Sequence, residues 1–247
     1  MLTPWGERVA RYAKEGIDRH ERLLHDLHGE SSFSTIRLAS HDAGFLHILP
    51  NAIHAFWSTS HRPLRLLHVP SEDLVPVVRD KLAEVAVTVL YHADPQLERV
   101  PIARYPLYAV MREDHRFASR SVLRLADLSG EKLIVTAQGT AFREMVSRNL
   151  AEASVPYEVA LETNSAHLMH HFTLMGVGIA IRSYSARLEE GLVAIPINGF
   201  PELEYSAVYL HETSRDEAVM QLIRMICEHA PAMSARSATR APRLRPA

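Results

Sequence analysis

Two runs in which strand patterns alternate with helix patterns restrict this 247-residue chain to sheets covered by helices. In the first run, short apolar stretches at 35–39 (TIRLA), 64–69 (LRLLHV) and 85–91 (VAVTVLY) read as strands. Helical patterns over 45–58 and 73–84 separate them. A second run places strands at 132–136, 157–163 and 178–182 around helices at 140–153 and 166–175. Strand, helix, strand requires a crossover, so parallel pairing is expected in both runs. Proline-punctuated strands over 99–111 and a short helix over 122–128 lie between them. The final strand, 204–210, and helix, 216–229, are too few for a third unit. They are expected to return and complete the first unit, which requires two crossovers and implies a hinge.

The flanks differ in character from this body. Thr3 before Pro4, with Glu7 in the first turn, is a helix entry, and Gly29 closes the pattern. Between them Val9, Ala13, Ile17, His20, Leu24 and Leu27 keep one stripe on one helix face. Residues 1–30 are therefore expected to form a linker or dimerisation helix, beginning abruptly at Met1 as though something ahead of it had been removed. Residues 231–247 are rich in Ser, Ala, Pro and Arg and are expected to be a flexible tail.

Composition narrows the function classes. A net charge of -2 and a pI near 6.7 leave no basic footprint for nucleic acid. Cys227 is the only cysteine, which excludes an intrachain disulfide or a cysteine zinc site in these residues and suits a reducing cytoplasm. The opening residues hold no apolar secretory core and no window approaches a membrane span, so a cytoplasmic protein without membrane contact is expected.

Small polar residues recur wherever a strand end meets a helix start. Ser40, His41 and Asp42 follow the first strand, and Ser71 follows the second. Thr136, Gln138, Gly139 and Thr140 follow the first strand of the second run, and Thr163, Asn164 and Ser165 follow the next. Each singly serves as a helix cap. Together, hydroxyls, amides and helix N-termini suit a small anion such as a carboxylate. The expected ligand-binding set is Ser40, His41, Ser71, Gln138, Thr140, Asn164 and Ser165. No catalytic residue is expected: the chain has no Gly-x-Ser-x-Gly elbow, Walker loop or strand-borne Gly-x-Gly-x-x-Gly. His167, His170 and His171 share a helix face, and His25 and His28 lie one turn apart. No acid or cysteine completes either group at ligand spacing, so neither metal nor cofactor is expected.

Four stretches in order carry a family resemblance. Leu2-Thr3-Pro4 with Gly6-Glu7 resembles the junction ahead of the linker helix in LysR-type transcriptional regulators. Ile48-Leu49-Pro50 with Ile53, Phe56 and Pro63-Leu64-Arg65-Leu66 is similar to that family's "LLP..L..F...YP.V.L" run. His115-Arg116-Phe117-Ala118 with Leu125-Ala126-Asp127-Leu128 resembles "HPLA … L.DL", and residues 168–181 resemble "L..LV..GLGIAL". Ala86 is read where the family carries Asp, Arg116 stands in for a proline, and another proline is replaced near Ser183.

The resemblance implies an α/β, two-lobed fold of periplasmic-binding-protein type (type 2) with a double crossover, preceded by the linker helix. Subdomain I would take 35–105 and 208–230, and subdomain II 106–207. It implies a small effector in the inter-lobe cleft, with Ser40, Ser71 and Thr140 foremost. It also implies self-association as a dimer or tetramer, and DNA contact only through an N-terminal domain missing from this chain. A solute-binding protein of the same fold is the alternative, and an enzyme on that fold a third.

Overall fold

The computed structural model describes residues 35–60, 62–91, 94–183 and 188–231, with seven positions near the N-terminus. The expected linker helix and tail otherwise lie outside the described residues. Thr3 Oγ1 does accept the Gly6 N–H at 3.1 Å, as a cap does.

The chain divides into two units, the breaks falling between Ile102 and Ala103 and between Tyr205 and Ser206. Unit one holds a five-stranded sheet in the order β2-β1-β3-β11-β4. Its strands are β1 (Ile36–Ser40), β2 (Leu64–His68), β3 (Val85–Val89), β4 (Leu97–Tyr105) and β11 (Leu203–Leu210). β1 pairs in parallel with β2 and with β3. The chain leaves this unit along β4 and returns along β11, the double crossover expected from the sequence.

Side chains alternate across β1. Ala39 packs with Leu74 and Val78 of helix α2 (Leu74–Arg79), while Ile36, Leu38 and Ser40 turn to the opposite face. On helix α5 (Glu217–His229) the fully or almost fully buried Val219, Leu222, Ile223 and Ile226 recur at helical spacing. α5 packs against α1 (Pro50–Thr59), which buries Ala52 and Phe56. Each such large apolar side chain contributes about 1.5–3 kcal/mol.

Two helices depart from their expected form. Instead of one helix over 45–58, a π-type turn over Gly44–Ile48 precedes α1, closed by the Leu49 N–H to the Gly44 carbonyl at 2.9 Å. Pro50 has no N–H for the α-helical bond that a continuous helix would require. α2 ends at Arg79 and not at 84, because Lys81 adopts φ 57° and reverses the chain. The Leu82 N–H then bonds the Val77 carbonyl at 2.9 Å.

The acid at the entrance to β3 is Glu84, while Ala86 lies buried within the strand. The Glu84 carboxylate accepts the Arg37 N–H at 2.6 Å and pairs with its guanidinium.

Unit two holds a six-stranded sheet in the order β6-β10-β5-β9-β7-β8. The strands are β5 (Tyr108–Arg112), β6 (Leu123–Arg124), β7 (Lys132–Val135), β8 (Glu158–Glu162), β9 (Ile179–Arg182) and β10 (Leu192–Asn198). β7 is parallel to β8 and β9, as expected. β5 is antiparallel to both β9 and β10, so the sheet is mixed. β10 went unread in the sequence because Pro196 interrupts its strand pattern. The short helix expected at 122–128 resolves into β6 and a 3₁₀ turn, with the Asp127 carboxylate accepting the Arg124 N–H at 2.8 Å. Helices α3 (Ala141–Glu152) and α4 (Ala166–Leu174) follow β7 and β8.

Candidate ligand site

In unit two, the parallel pair β7 and β8 delivers both of its following turns to one edge of the sheet. Thr163 N–H bonds the Val135 carbonyl at 3.0 Å, and Asn164 Oδ1 accepts the Ala137 N–H at 3.0 Å. These bonds tie the loop carrying Gln138 and Thr140 to the loop carrying Asn164 and Ser165. Thr140 caps α3 by accepting the Arg143 N–H at 3.2 Å, and its hydroxyl also donates to the Ala137 carbonyl at 3.0 Å. Ser165 caps α4 by accepting the Leu168 N–H at 3.4 Å. Two helix N-termini therefore start from adjacent loops, each offering a positive dipole end and unbonded N–H groups.

Gln138 and Gly139 are exposed beside them. Gly139 adopts φ +87°, a conformation natural to glycine, and a Cβ built there would meet nothing within 4 Å. The loop thus presents bare backbone to open space. Sequence reasoning missed Arg143, whose Nη1 donates to the Thr136 carbonyl at 3.2 Å and to Glu162 at 2.8 Å. An arginine three residues after a cap was the available signal.

Unit one holds the remaining members. Ser40 is the last residue of β1, fully buried, and its hydroxyl donates to the Val87 carbonyl at 2.8 Å. That hydroxyl stitches β1 to β3. Gly44 lies against it so closely that a Cβ there would sit 1.9 Å from Ser40 Oγ.

His41 Nδ1 accepts the Gly44 N–H at 3.1 Å, which leaves the ring proton on Nε2. Ser71 is exposed and begins a short turn with Glu72 and Asp73, two acids that oppose an anion there. The strand ends are joined by the Val69 N–H to the Ser40 carbonyl at 3.2 Å. His68 and Asp42 pair at 3.0 Å across them.

The structure thus brings Gln138, Thr140, Asn164 and Ser165 together in one unit, and Ser40 with His41 in the other. Among the described residues no group of three or more His, Cys, Asp and Glu is placed to hold a metal ion, and no helix is long and apolar enough to cross a membrane. The assembled groups are hydroxyls, amides and helix termini, equipped to recognise an oxygen-rich ligand.

Comparison with known proteins places this fold. The family described as "LysR substrate binding domain" matches residues 29–231. The DNA-binding transcriptional dual regulator OxyR of Escherichia coli is 24% identical over 187 residues, covering 72% of this chain and 61% of its own length. The chain therefore spans less than two thirds of that relative. HinK, a LysR family transcriptional regulator from Pseudomonas aeruginosa, superposes with a TM-score of 0.68 at 19% identity, over 92% of this chain and 80% of that one. The effector-binding domain of QuiR in complex with shikimate gives 0.70 at 14% identity, over 81% of this chain and 98% of that one. At these identities the structural likeness speaks for the fold, an α/β arrangement of periplasmic-binding-protein type 2. With most of its length matched by the family, the chain belongs to the LysR substrate-binding domain family.

Proposed function

We propose that this chain senses a small carboxylate on behalf of a LysR-type transcriptional regulator, in the cytoplasm and without catalysing a reaction. The ligand takes contacts from Gln138, Thr140, Asn164 and Ser165 in unit two, and His41 and Ser71 are the candidate contacts that unit one offers by itself. The observation carrying this reading is the pair of tied loops after β7 and β8. There two capped helix N-termini and the exposed Gly139 backbone meet at one sheet edge. One protein of this fold is bound to shikimate, a carboxylate, and another to H2O2, so the preference for an anion rests on the helix N-termini.

Binding shifts a population of arrangements, and self-association as a dimer or tetramer transmits the shift to DNA contacts made by a domain outside these residues. Ser40 acts here through strand geometry, since its proton is committed to Val87. Ser71 is the weakest member, beside two carboxylates.

A thermal-shift screen of small carboxylates against the chain, followed by titration into Asn164→Ala and Gln138→Ala, tests this. A carboxylate that stabilises the wild type and loses affinity in both variants supports the reading. A hit untouched by either substitution removes the site from unit two. Sedimentation with and without the hit tests the coupling to assembly.

A further inference from the structure

α3 carries in its first turn a charge of the sign that its dipole opposes. Thr140 is the N-cap and Arg143 the third helical residue, where a capping box places Glu or Gln and where the dipole favours an acid. The arginine is nonetheless firmly held. Its side chain is only 11% exposed, Nε donates to Ser147 Oγ at 3.0 Å, and Nη1 donates to the Thr136 carbonyl at 3.2 Å and to Glu162 Oε1 at 2.8 Å.

Those partners belong to three elements. Thr136 directly follows β7, Glu162 is the last residue of β8, and Ser147 lies one turn further along α3, with its hydroxyl 3.2 Å from that of Tyr157. The same loops are tied beside this point. Thr136 Oγ1 lies 3.2 Å from Thr140 Oγ1, and Asn164 Oδ1 accepts the Ala137 N–H at 3.0 Å. One guanidinium therefore joins the exit of β7, the exit of β8 and the start of α3.

We propose that Arg143 is the positioning residue of the carboxylate site. By holding the Thr136 carbonyl and the Glu162 carboxylate together, it fixes the two loops that carry Gln138, Thr140, Asn164 and Ser165, and with them the two helix N-termini. It acts through those loops and not by touching the ligand. The inference rests on the carboxylate reading above and adds the residue that keeps the site in shape. Lys is no substitute, because an ammonium is a point charge, whereas this planar guanidinium serves three acceptors in fixed directions.

The first arm of the test needs no ligand: amide hydrogen exchange is compared in wild type and Arg143→Met. The Ala137 and Thr163 N–H groups, which hold the two loops together, should exchange at least about tenfold faster in the variant, while the amides of β5 and β9 keep their wild-type protection. Unchanged exchange at Ala137 overturns the proposal. So does a loss of protection that extends across β5 and β9, which would make Arg143 a general support of unit two. If Arg143→Met does not fold, Arg143→Lys takes its place in the same comparison.

The second arm titrates shikimate, benzoate and succinate into wild type, Arg143→Met, Arg143→Lys and the double variant Arg143→Met with Glu162→Gln. The acid that binds the wild type should bind Arg143→Met at least about tenfold more weakly, and Arg143→Lys should also be weakened. The double variant should stay weak, since removing the Glu162 charge does not restore the hold on Thr136. Wild-type affinity in Arg143→Lys, or full recovery in the double variant, would reduce Arg143 to a cancelling charge and overturn the proposal. If no acid binds the wild type, the carboxylate reading fails, and the ligand-free exchange still decides whether Arg143 holds the loops.

Discussion

Asp216 does two jobs with one carboxylate. It caps α5 by accepting the Ala218 and Val219 N–H groups at 3.0 and 3.2 Å, and it receives Arg62 Nη1 at 2.6 and 2.7 Å. Burial works to raise its pKa, but the Arg62 and backbone hydrogen bonds outweigh it and hold the carboxyl below its ordinary value. A folded-state pKa below the unfolded one contributes stability that is present above the unfolded value and is lost as pH falls through the folded one. Urea melts from pH 7 down to pH 3 should therefore show wild type and Asp216→Asn converging at the acid end. At neutral pH, Asp216→Ala should cost about 1–3 kcal/mol through the lost cap and the lost ion pair with Arg62. A constant gap across that pH range would contradict this account.

Ser40 shows how far single residues were legible. It was read as following a strand, and it is the buried last residue of β1, with its hydroxyl bonded to Val87. Nothing in the string of letters distinguishes a serine that ends a strand from one that follows it. Gly44 makes that environment testable, since its Cβ would meet Ser40 Oγ at 1.9 Å but Ser40 Cβ only at 3.1 Å. Gly44→Ala should destabilise by about 1–3 kcal/mol. Most of that penalty should disappear in the Ser40→Ala background, a non-additive pair in denaturant melts. The burial of Arg182 was hidden for the opposite reason: an arginine ending a strand reads as solvent-facing, yet it is buried opposite Tyr108.

Among the elements, strand and helix periodicity was legible wherever a segment kept a single period. β1, β2, β3, β7, β8 and β9 and the helices α3, α4 and α5 fall within a few residues of their expected positions. Proline misled twice. Pro196 hid β10, and Pro50 marked a helix start where a longer helix was expected. Backbone handedness misled once, at Lys81, because nothing ahead of it announces a left-handed residue.

Lys81 gives the prediction at this scale. Its exposed ion pair with Glu212 at 2.6 Å is worth little, whereas its φ of 57° carries strain that glycine would relieve. Lys81→Gly should raise stability by about 0.5–1 kcal/mol, read as a higher denaturant midpoint at unchanged slope. The converse holds at the entrance to β9. A Cβ on Gly178 would meet the Lys132 carbonyl oxygen at 2.4 Å, so Gly178→Ala should destabilise unit two and loosen the pairing of β9 with β7.

For the molecule as a whole, the double passage of the chain between units was readable because two elements were left over after the second alternating run. The mixed character of the second sheet was not, since the antiparallel partners β5 and β10 are far apart in sequence and joined only by register. Cys227 is the sole cysteine of the 247 residues. Burial and then Glu228 push the Cys227 thiol up, and its Sγ lies 3.9 Å from the Pro101 carbonyl. Little thiolate is present at neutral pH, so a maleimide should label it many times more slowly than a free cysteine under the same conditions.

The central claim is that a small carboxylate binds at the tied loops after β7 and β8, and isothermal titration of the screened acid into wild type and Asn164→Ala measures it most directly. Asn164 Oδ1 holds the Ala137 N–H, and with it the Gln138 and Thr140 loop. The account predicts stoichiometric binding to the wild type, recovery of the acid chemically unchanged, and affinity at least tenfold weaker in the variant, about 1.4 kcal/mol. Equal affinity in the two proteins, or recovery of the acid as a reaction product, would contradict it.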